Sequence, residues 1–193
     1  MQPPRVYRAA PLGAGHAFRQ GEILSTVVQT RLELATLNTP GEGYVRVHHP
    51  LAVILTQDCD LEQDFKARQG HVAADKQIPS LLFCEVATAE DLYGFVKQTN
   101  KKLWDRIRIN KDERYHFLQK VEPGDDALGQ GLPEMGIDFK RYFTIPTDEL
   151  YRRVELSEAQ RRCILQSPYL EHLSSRFAYY LSRVALPLDH VSE

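Results

Sequence analysis

The chain has 193 residues, of which 42% are hydrophobic and 26% are charged, and its formal net charge is −2. This size and composition predict one globular domain whose core is large enough to fold without disulfides or structural metals. The near-neutral charge excludes a global field that attracts nucleic acid or anionic membranes, so any such partner must be bound by a local patch.

The three cysteines, Cys59, Cys84 and Cys163, are widely spaced and form no CxxC pair. This pattern argues against a disulfide framework and a zinc ribbon, and it favours a reducing cytoplasm. The first residues lack the apolar core of a signal peptide, and no apolar run approaches the roughly 20 residues needed to span a bilayer. We therefore expect a cytoplasmic protein without a membrane segment.

The strands predicted in the first half of the chain either alternate apolar with polar residues or form short apolar runs. An irregular arm over residues 1–17 precedes them, and a loop or frayed helix follows Glu62. Leu32 and Leu34 are expected to face the core. Pro50 lacks an amide hydrogen, so the strand ladder is expected to be interrupted there. The predicted strands occupy residues 21–29, 30–37, 44–48, 51–55 and 78–86, with a turn over 39–43.

The clearest element of the second half is a C-terminal helix over residues 167–185. Ser167 can cap it, Pro168 suits its first position, and apolar residues recur at steps of three and four. Short strands, frequent turns and the absence of a βαβ rhythm favour an α+β fold, in which residues 18–193 form a small barrel or twisted antiparallel sheet closed by helices. The other predicted elements are a helix over 90–108 that residues 100–102 can interrupt, strands over 115–118 and 136–145, a surface loop over 123–136 and a short helix over 149–151.

The polar segment after the central apolar run is the strongest candidate for a functional site. Leu51–Leu55 has the length and β-branched content of a buried strand, and a hydroxyl, an amide, a thiol and three carboxylates follow it. Scaffolds commonly present functional side chains at strand ends, so we expect this segment to lie in an open cleft. Its residues are Thr56, Gln57, Asp58, Cys59, Asp60, Leu61 and Glu62.

Cys59 would act as a nucleophile if a histidine, His116 or His172, served as its base. This interpretation predicts a cysteine-dependent hydrolase or transferase. The neighbouring carboxylates of Asp58 and Asp60 argue against it, because negative charges disfavour a thiolate. The alternative is a structural cysteine at the end of a strand.

Asp58, Asp60, Glu62 and Asp64 alternate along the chain, and in an extended segment they would line one face and hold Mg²⁺ or Ca²⁺. The spacing begins like an EF-hand loop, but glutamines replace the glycine and the final glutamate that such a loop requires. No Asp…Glu-x-Lys nuclease signature is present either. The alternative is an acidic loop whose carboxylates bind local backbone amides. We predict no metal and no other cofactor.

His172, Arg176, Tyr179 and Arg183 follow one another at steps of four, three and four, and so share a face of the last helix. This face would bind an anion or an RNA backbone, with Tyr179 available for base stacking. The alternative is a solvated helix flank. Two further basic groups are present, one of Arg46, His48 and His49 and one of Lys101, Lys102, Arg106 and Arg108.

Two short segments resemble the PemK/MazF family of toxins. Gly21-Glu22-Ile23 is similar to a Gly-Asp-Ile pattern of that family, and residues 49–56 are similar to its Arg-Pro-Val-Leu-Val-Leu-Ser pattern. The resemblance implies a small SH3-like antiparallel β-barrel, here with added helices and a C-terminal amphipathic helix, that is usually dimeric and cuts single-stranded RNA without metal. The chain departs from the pattern where His49 replaces the arginine before the proline, and where the later threonine matches Thr88 only loosely.

This resemblance implies an RNA-binding or metal-independent endoribonuclease-like protein of a bacterial toxin or phage-defence system. His49 would act as acid or base on the 2′-hydroxyl and the leaving oxygen, while Thr56 and Gln57 would orient the phosphate. Arg46 would neutralise the developing charge. Taken with the cysteine hypothesis, the candidate catalytic residues are Cys59, His49, Thr56, Gln57, His116 and His172, and the candidate binding residues are Arg46, Asp58, Asp60, Arg176, Tyr179 and Arg183.

A broader resemblance is to a group of bacterial proteins with Thr-Gln-x-Cys-Asp-Leu-Glu and Ser-Pro-Tyr-x-Glu-His-Leu-Ser signatures. Here these are residues 56–62 and 167–174, and Tyr115-His116 lies between them. The likeness implies a bacterial cytoplasmic protein that forms one unit, and it brings no activity with it.

Three functions of different classes remain open on the sequence: RNA binding or cleavage, a cysteine-dependent hydrolase, and a non-catalytic protein-interaction module. In the third, the C-terminal helix and an edge strand would dock a partner protein. The partners considered are therefore RNA, another protein and a second copy of the chain, but no membrane.

Overall fold

A computed structural model describes residues 5–36, 43–97 and 101–182 of the chain. The strands within these ranges are β1 Tyr7–Ala9, β2 Glu22–Leu32, β3 Tyr44–Ile54, β4 Ser80–Thr88, β5 Tyr115–Leu118, β6 Met135–Pro146 and β7 Gln160–Leu165. The helices are α1 Asp58–Arg68, α2 Ala89–Lys97, α3 Lys101–Arg108, α4 Thr147–Glu155 and α5 Tyr169–Ser182. Short 3-10 turns occupy Ala74–Lys76 and Pro123–Asp125.

The strands form one antiparallel sheet in the order β1-β7-β2-β3-β4-β6-β5. The expected α+β class is therefore confirmed. The sheet is not closed into a barrel, and β1 and β5 are its outer strands. The sheet is nonetheless curled. The curl brings the side-chain amide of Gln29 on β2 to the Thr144 carbonyl on β6, with Nε2 and O 3.5 Å apart. This approach of β2 to β6 creates a groove between them.

Successive residues of the central strands point to opposite faces of the sheet and enter separate hydrophobic clusters. Val53 belongs to the first cluster and Ile54 to the second. Helix α5 covers the first cluster through residues that include Leu173, while α1 and α4 cover the second through Leu61 and Leu150. Helices α2 and α3 pack beside β5 in a smaller third cluster. Side chains on α1 and α5 are thus separated by the sheet.

Strand β7 carries two arginines into the interior, and each has a carboxylate partner. Arg161 donates to both carboxylate oxygens of Glu22, with Nε–Oε1 2.5 Å and NH2–Oε2 2.8 Å. Arg162 binds buried Asp126 in the same two-pronged way, with Nε–Oδ1 2.8 Å and NH2–Oδ2 2.7 Å. Arg161 also donates to backbone carbonyls that fix the N-terminal segment against the sheet, those of Gly13, His16 and Ala17.

Most of the predicted strands are confirmed, and those at 44–48 and 51–55 are parts of one strand, β3. The ladder between β2 and β3 omits Pro50, as expected, although Leu51 pairs with Ser25 and His49 with Val27. The C-terminal helix is confirmed as α5, although it begins at Tyr169 and the predicted cap and first position, Ser167 and Pro168, form a turn before it. Most of the predicted turn at 39–43 and the predicted helix end at 183–185 lie outside the described residues.

Three predictions of local structure are wrong. The segment from Asp58 is helix α1, so its carboxylates do not line an extended strand end. Leu32 and Leu34 are exposed, by 59% and 77%, because β2 runs on to Leu32 as part of a ribbon that projects beyond the sheet. The arm over 1–17 contains β1. The described parts of the helix predicted over 90–108 are α2 and α3, and residues 98–100 between them lie outside the described ranges.

Candidate functional site

An open groove of about 590 Å³ lies on the curled part of the sheet, lined by β2, β3, β4 and β6. It brings together two cationic side chains, a carboxylate, an amide, an aromatic ring and an imidazole. We call it the His49 groove. The residues that matter for its chemistry are Gln29, Arg31, His49, Glu85, Arg141 and Phe143.

The groove forms because the side-chain alternation of β2 changes face at Thr26. Ile23 packs into the first cluster and Val27 into the second, whereas an unbroken strand would place both on one face. Thr26 lies between them with φ 57°, opposite the unpaired Pro50. Because Val27 pairs with His49, the imidazole follows Val27 to the side of the second cluster.

The same alternation sorts the other polar residues of the β2–β3 ribbon. Gln29 and Arg31 lie two and four residues after Val27 and therefore share its side of the ribbon. Arg46 pairs with Thr30 on the opposite side, and His48 is also exposed there. Of the basic group predicted from the sequence, the groove thus holds His49 but neither of the other two.

The His49 imidazole is 6% exposed and stacks on the Phe143 ring, with centroids 3.9 Å apart and planes 9° from parallel. Its Nδ1 lies 3.8 Å from Oε2 of Glu85, which is an electrostatic contact longer than a hydrogen bond. Its Nε2 is buried and has no hydrogen-bond partner among the described residues. Burial lowers the pKa of His49, and Glu85 opposes that shift only in part. The ring is therefore neutral near pH 7 and able to accept a proton.

Alternating charges continue from His49 along the groove. Glu85 accepts a hydrogen bond from Arg141, with NH1 and Oε1 3.2 Å apart. The Nε of Arg141 lies 3.9 Å from Oδ2 of Asp138, which is held by Arg114 through two hydrogen bonds of 2.7 and 2.5 Å. Arg141 is 56% exposed on its side chain, so it borders the groove instead of being sealed inside it.

The predicted residues that follow the strand lie away from His49, because β3 advances about 3.3 Å per residue between them. Thr56 accepts a hydrogen bond from the Leu82 amide (2.8 Å), which closes the end of the sheet. Asp58 accepts from the Gln20 amide (2.8 Å) and pairs with Arg19 (3.0 Å). Gln57 and Asp60 are exposed, and both accept from the Cys59 thiol at 3.7 Å.

The structure does not bring Cys59 to a histidine base. Cys59 lies in the first turn of α1, on the side of the second cluster. His116 of β5 and His172 of α5 pack against each other on the opposite face of the sheet, with ring centroids 5.3 Å apart. His116 also contacts Phe139 of the first cluster. Burial, aided by Arg176, lowers the pKa of His116 to about 3, so its charged form is strongly disfavoured.

Cys59 is expected to be the thiol that iodoacetamide modifies in the native protein, because it is exposed while Cys84 and Cys163 are buried. Burial also raises the pKa of both interior thiols, which suppresses their thiolates. Mass spectrometry should find one label per native chain and three after unfolding. The variant Cys59→Ser should take up none while native, and native labelling of either buried thiol would contradict the structure.

The predicted basic face of the last helix is divided between structural and exposed residues. Arg176 donates to the backbone carbonyls of Asn110, Asp112 and Tyr115, and so fixes the segment before β5 to α5. Tyr179 is 57% exposed, whereas Arg183 lies outside the described residues.

The four alternating carboxylates of the predicted metal segment all have protein partners, which for Asp58 is Arg19 and for Asp60 is the Cys59 thiol. Glu62 pairs with Lys66, and Asp64 with Arg68. In residues 5–36, 43–97 and 101–182, no three His, Cys, Asp or Glu side chains are grouped so that they would hold a metal ion. None of the helices in these ranges is long and apolar enough to cross a bilayer.

Sequence reasoning missed Glu85, Arg141, Arg31 and Phe143, which complete the surroundings of His49. They come from separate strands, and only the curl of the sheet joins them. Comparison with protein-family models, with curated proteins and with solved structures gave no match to this chain. The geometry of the His49 groove is therefore the basis on which a function is inferred.

Proposed function

We propose that the protein binds single-stranded RNA in the His49 groove and cleaves it with His49 as the general base. One observation carries this proposal: His49 Nε2, which has no hydrogen-bond partner in the described part of the chain, lies in a groove with two guanidinium groups and the Phe143 ring. The resemblance to PemK/MazF toxins supports the same reaction, and with it a toxin or phage-defence role. In this proposal the curled sheet is an opened relative of an SH3-like barrel.

Binding follows from the charges of the groove. Arg31 and Arg141 would contact phosphates, and the release of counterions would provide much of the affinity despite the net charge of −2. The Tyr142 ring packs against Phe177 of α5, with centroids 6.1 Å apart, so it offers no stacking surface on the His49 side of the sheet. An open groove whose cations follow the backbone is typical of sites for single strands.

Cleavage would use the neutral His49 ring. Nε2 is buried in the free protein, so this step requires the groove to open around it when RNA binds. Nε2 then takes the proton of a ribose 2′-hydroxyl, and the 2′-oxygen attacks the adjacent phosphorus as the bond from phosphorus to the 5′-oxygen breaks. The 5′-oxygen takes a proton from water, which leaves a 2′,3′-cyclic phosphate and a 5′-hydroxyl. Arg31 and Arg141 stabilise the negative charge that develops on the phosphoryl oxygens. Glu85, at Nδ1, stabilises the imidazolium that forms.

The experiment is to incubate the purified protein with mixed RNA in excess chelator and to examine the fragment ends. We expect fragments that carry 2′,3′-cyclic phosphate, together with a gel shift for uncleaved single strands at low salt. Intact RNA without any gel shift would remove the proposal. Binding without fragments would leave the recognition function and remove the catalytic step.

Arg31→Gln is expected to weaken RNA binding about threefold to fivefold and to reduce the slope of log affinity against log salt by about 0.7, as for one lost phosphate contact. Fluorescence anisotropy over a salt series measures both quantities. The matched control is Arg46→Gln, which removes the same charge from the opposite side of the ribbon. If the two variants lose affinity equally, the groove is not the binding surface.

The second candidate function, a protein-interaction module, is favoured by the apolar residues of the projecting ribbon. Leu32, Leu34 and Tyr44 are 59%, 77% and 73% exposed there. A second copy of the chain would bury them by pairing ribbon to ribbon. Sedimentation should then show a dimer that Leu34→Ser weakens, and a monomer at every concentration would exclude this arrangement.

A further inference from the structure

A second cavity, of about 250 Å³, lies beside the His49 groove, between α2 and the strands β3, β4 and β6. We propose that it binds the ammonium group and apolar body of an aliphatic amine, and that a bound amine strengthens RNA binding in the groove; the second clause rests on the proposed function. We call this cavity the α2 pocket. Its walls are apolar at Leu51, Val86, Leu92 and Phe95, and polar at Glu85, Asp91, Asp138 and Arg141.

The polar wall of the α2 pocket has an excess of negative charge. Three carboxylates line it against one guanidinium, that of Arg141. Asp138 is compensated by Arg114 from outside the pocket, and Asp91 is engaged in the cap of α2, where it accepts a hydrogen bond from Thr88 (2.7 Å). Glu85 is therefore the carboxylate best able to receive a new cation. An apolar cavity with such a carboxylate at its edge suits an alkyl chain that ends in an ammonium group.

The chain itself already shows a cation in this position. The Arg141 guanidinium lies between Glu85, at 3.2 Å, and Asp138, at 3.9 Å. Its side chain is more than half exposed, and exposed ion pairs contribute little to stability, so another cation can replace it at small cost. The alkyl chain of an amine would also fill the apolar part of the pocket, a contact that the Arg141 side chain does not make.

Glu85 and Arg141 line both the α2 pocket and the His49 groove, and this sharing couples the two sites. Arg141 has two alternative partners, the carboxylates of the pocket or an RNA phosphate in the groove. An amine on Glu85 removes the first partner and leaves the guanidinium free for the second. Since coupling between binding sites is reciprocal, RNA should strengthen amine binding by the same factor.

The first measurement uses n-hexylamine on the full chain without RNA, with n-hexanol as the neutral control and ionic strength held constant. NMR titration should show saturable shifts of the Val86, Ala87 and Gly136 amides, and hexanol should bind at least about fivefold more weakly, as expected for one lost charge pair. Glu85→Gln should reduce hexylamine affinity by a similar factor. Asp105→Asn, on the exposed face of α3, should leave it unchanged. Equal binding of amine and alcohol, or no effect of Glu85→Gln, would overturn the assignment.

The second measurement repeats RNA binding with and without hexylamine. We expect affinity to rise about threefold in the unaltered chain and to remain constant in Arg141→Gln, which has no guanidinium to release. In that variant hexylamine itself should bind more tightly, because its competitor is gone. A chain that binds amine but never binds RNA would refute the proposed function and leave the pocket assigned, whereas RNA binding that ignores the amine would refute the coupling.

Discussion

Arg161→Leu is expected to lower the free energy of unfolding by about 3–5 kcal/mol, the range for a buried ion pair that loses one partner. The substitution leaves the Glu22 carboxylate in the interior with neither solvent nor a guanidinium. It also removes the donors for the Gly13, His16 and Ala17 carbonyls, so the segment before β2 loses its attachment. Such a loss is comparable with the total stability of many domains.

Urea denaturation followed by circular dichroism measures this effect, with Arg152→Leu as the matched control on the exposed face of α4. The control should change stability by less than about 0.5 kcal/mol. If Arg161→Leu does not fold, the double variant Glu22→Leu/Arg161→Leu keeps the test decisive. It removes both charges and should be more stable than the single variant. A single variant as stable as the control would show that the pair is not buried as described.

His49→Gln is expected to slow RNA cleavage by about 10²–10⁴-fold, the usual contribution of a general base, while RNA affinity changes much less. Glutamine fills a similar space but cannot take up the proton. Single-turnover cleavage of end-labelled RNA separates the chemical step from binding. The control is His48→Gln, the neighbouring histidine on the other side of the ribbon, which should cleave at the normal rate.

The pH dependence of the cleavage rate also tests His49 as the general base, and the structure predicts the direction of this dependence. A base works when deprotonated, and burial lowers the pKa of His49 below the ordinary 6.5. Cleavage should therefore be constant near neutrality and fall as pH drops through a value below 6.5. Because Glu85 raises the pKa of His49, Glu85→Gln should move this acid limb to still lower pH. A limb above 6.5, or one unaltered by Glu85→Gln, would contradict the assignment.

Elements with a regular apolar pattern could be predicted from the sequence, and those held by polar contacts could not. Strands β2, β4 and β6 and helix α5 have apolar residues at strand or helix spacing. Strand β7 was missed because Arg161 and Arg162 occupy buried strand positions, which only their partners Glu22 and Asp126 make tolerable. Helix α1 was predicted only after Glu62 and only as an alternative to a loop, because its sequence is polar with little periodicity and ion pairs along its surface support it.

The site shows the same division. His49 could be identified because it precedes an apolar run, at the position where the resembled family pattern has an arginine. The polar residues after that run nevertheless led to a predicted site at Thr56–Glu62. The groove instead depends on the positive φ of Thr26, which changes the face to which the later side chains of the ribbon point. A threonine in a sequence gives no indication of a positive φ, because β-branched residues rarely adopt one. Glu85 and Arg141 come from strands distant in sequence, so no local pattern could join them to His49.

The position of β7 between β1 and β2 has a consequence for synthesis on the ribosome. Until Arg161 has been translated, Glu22 has no counterion, and the strands that will flank β7 keep open edges that can pair with other chains. A nascent chain must therefore wait for β7 before the β1 side of the sheet can close.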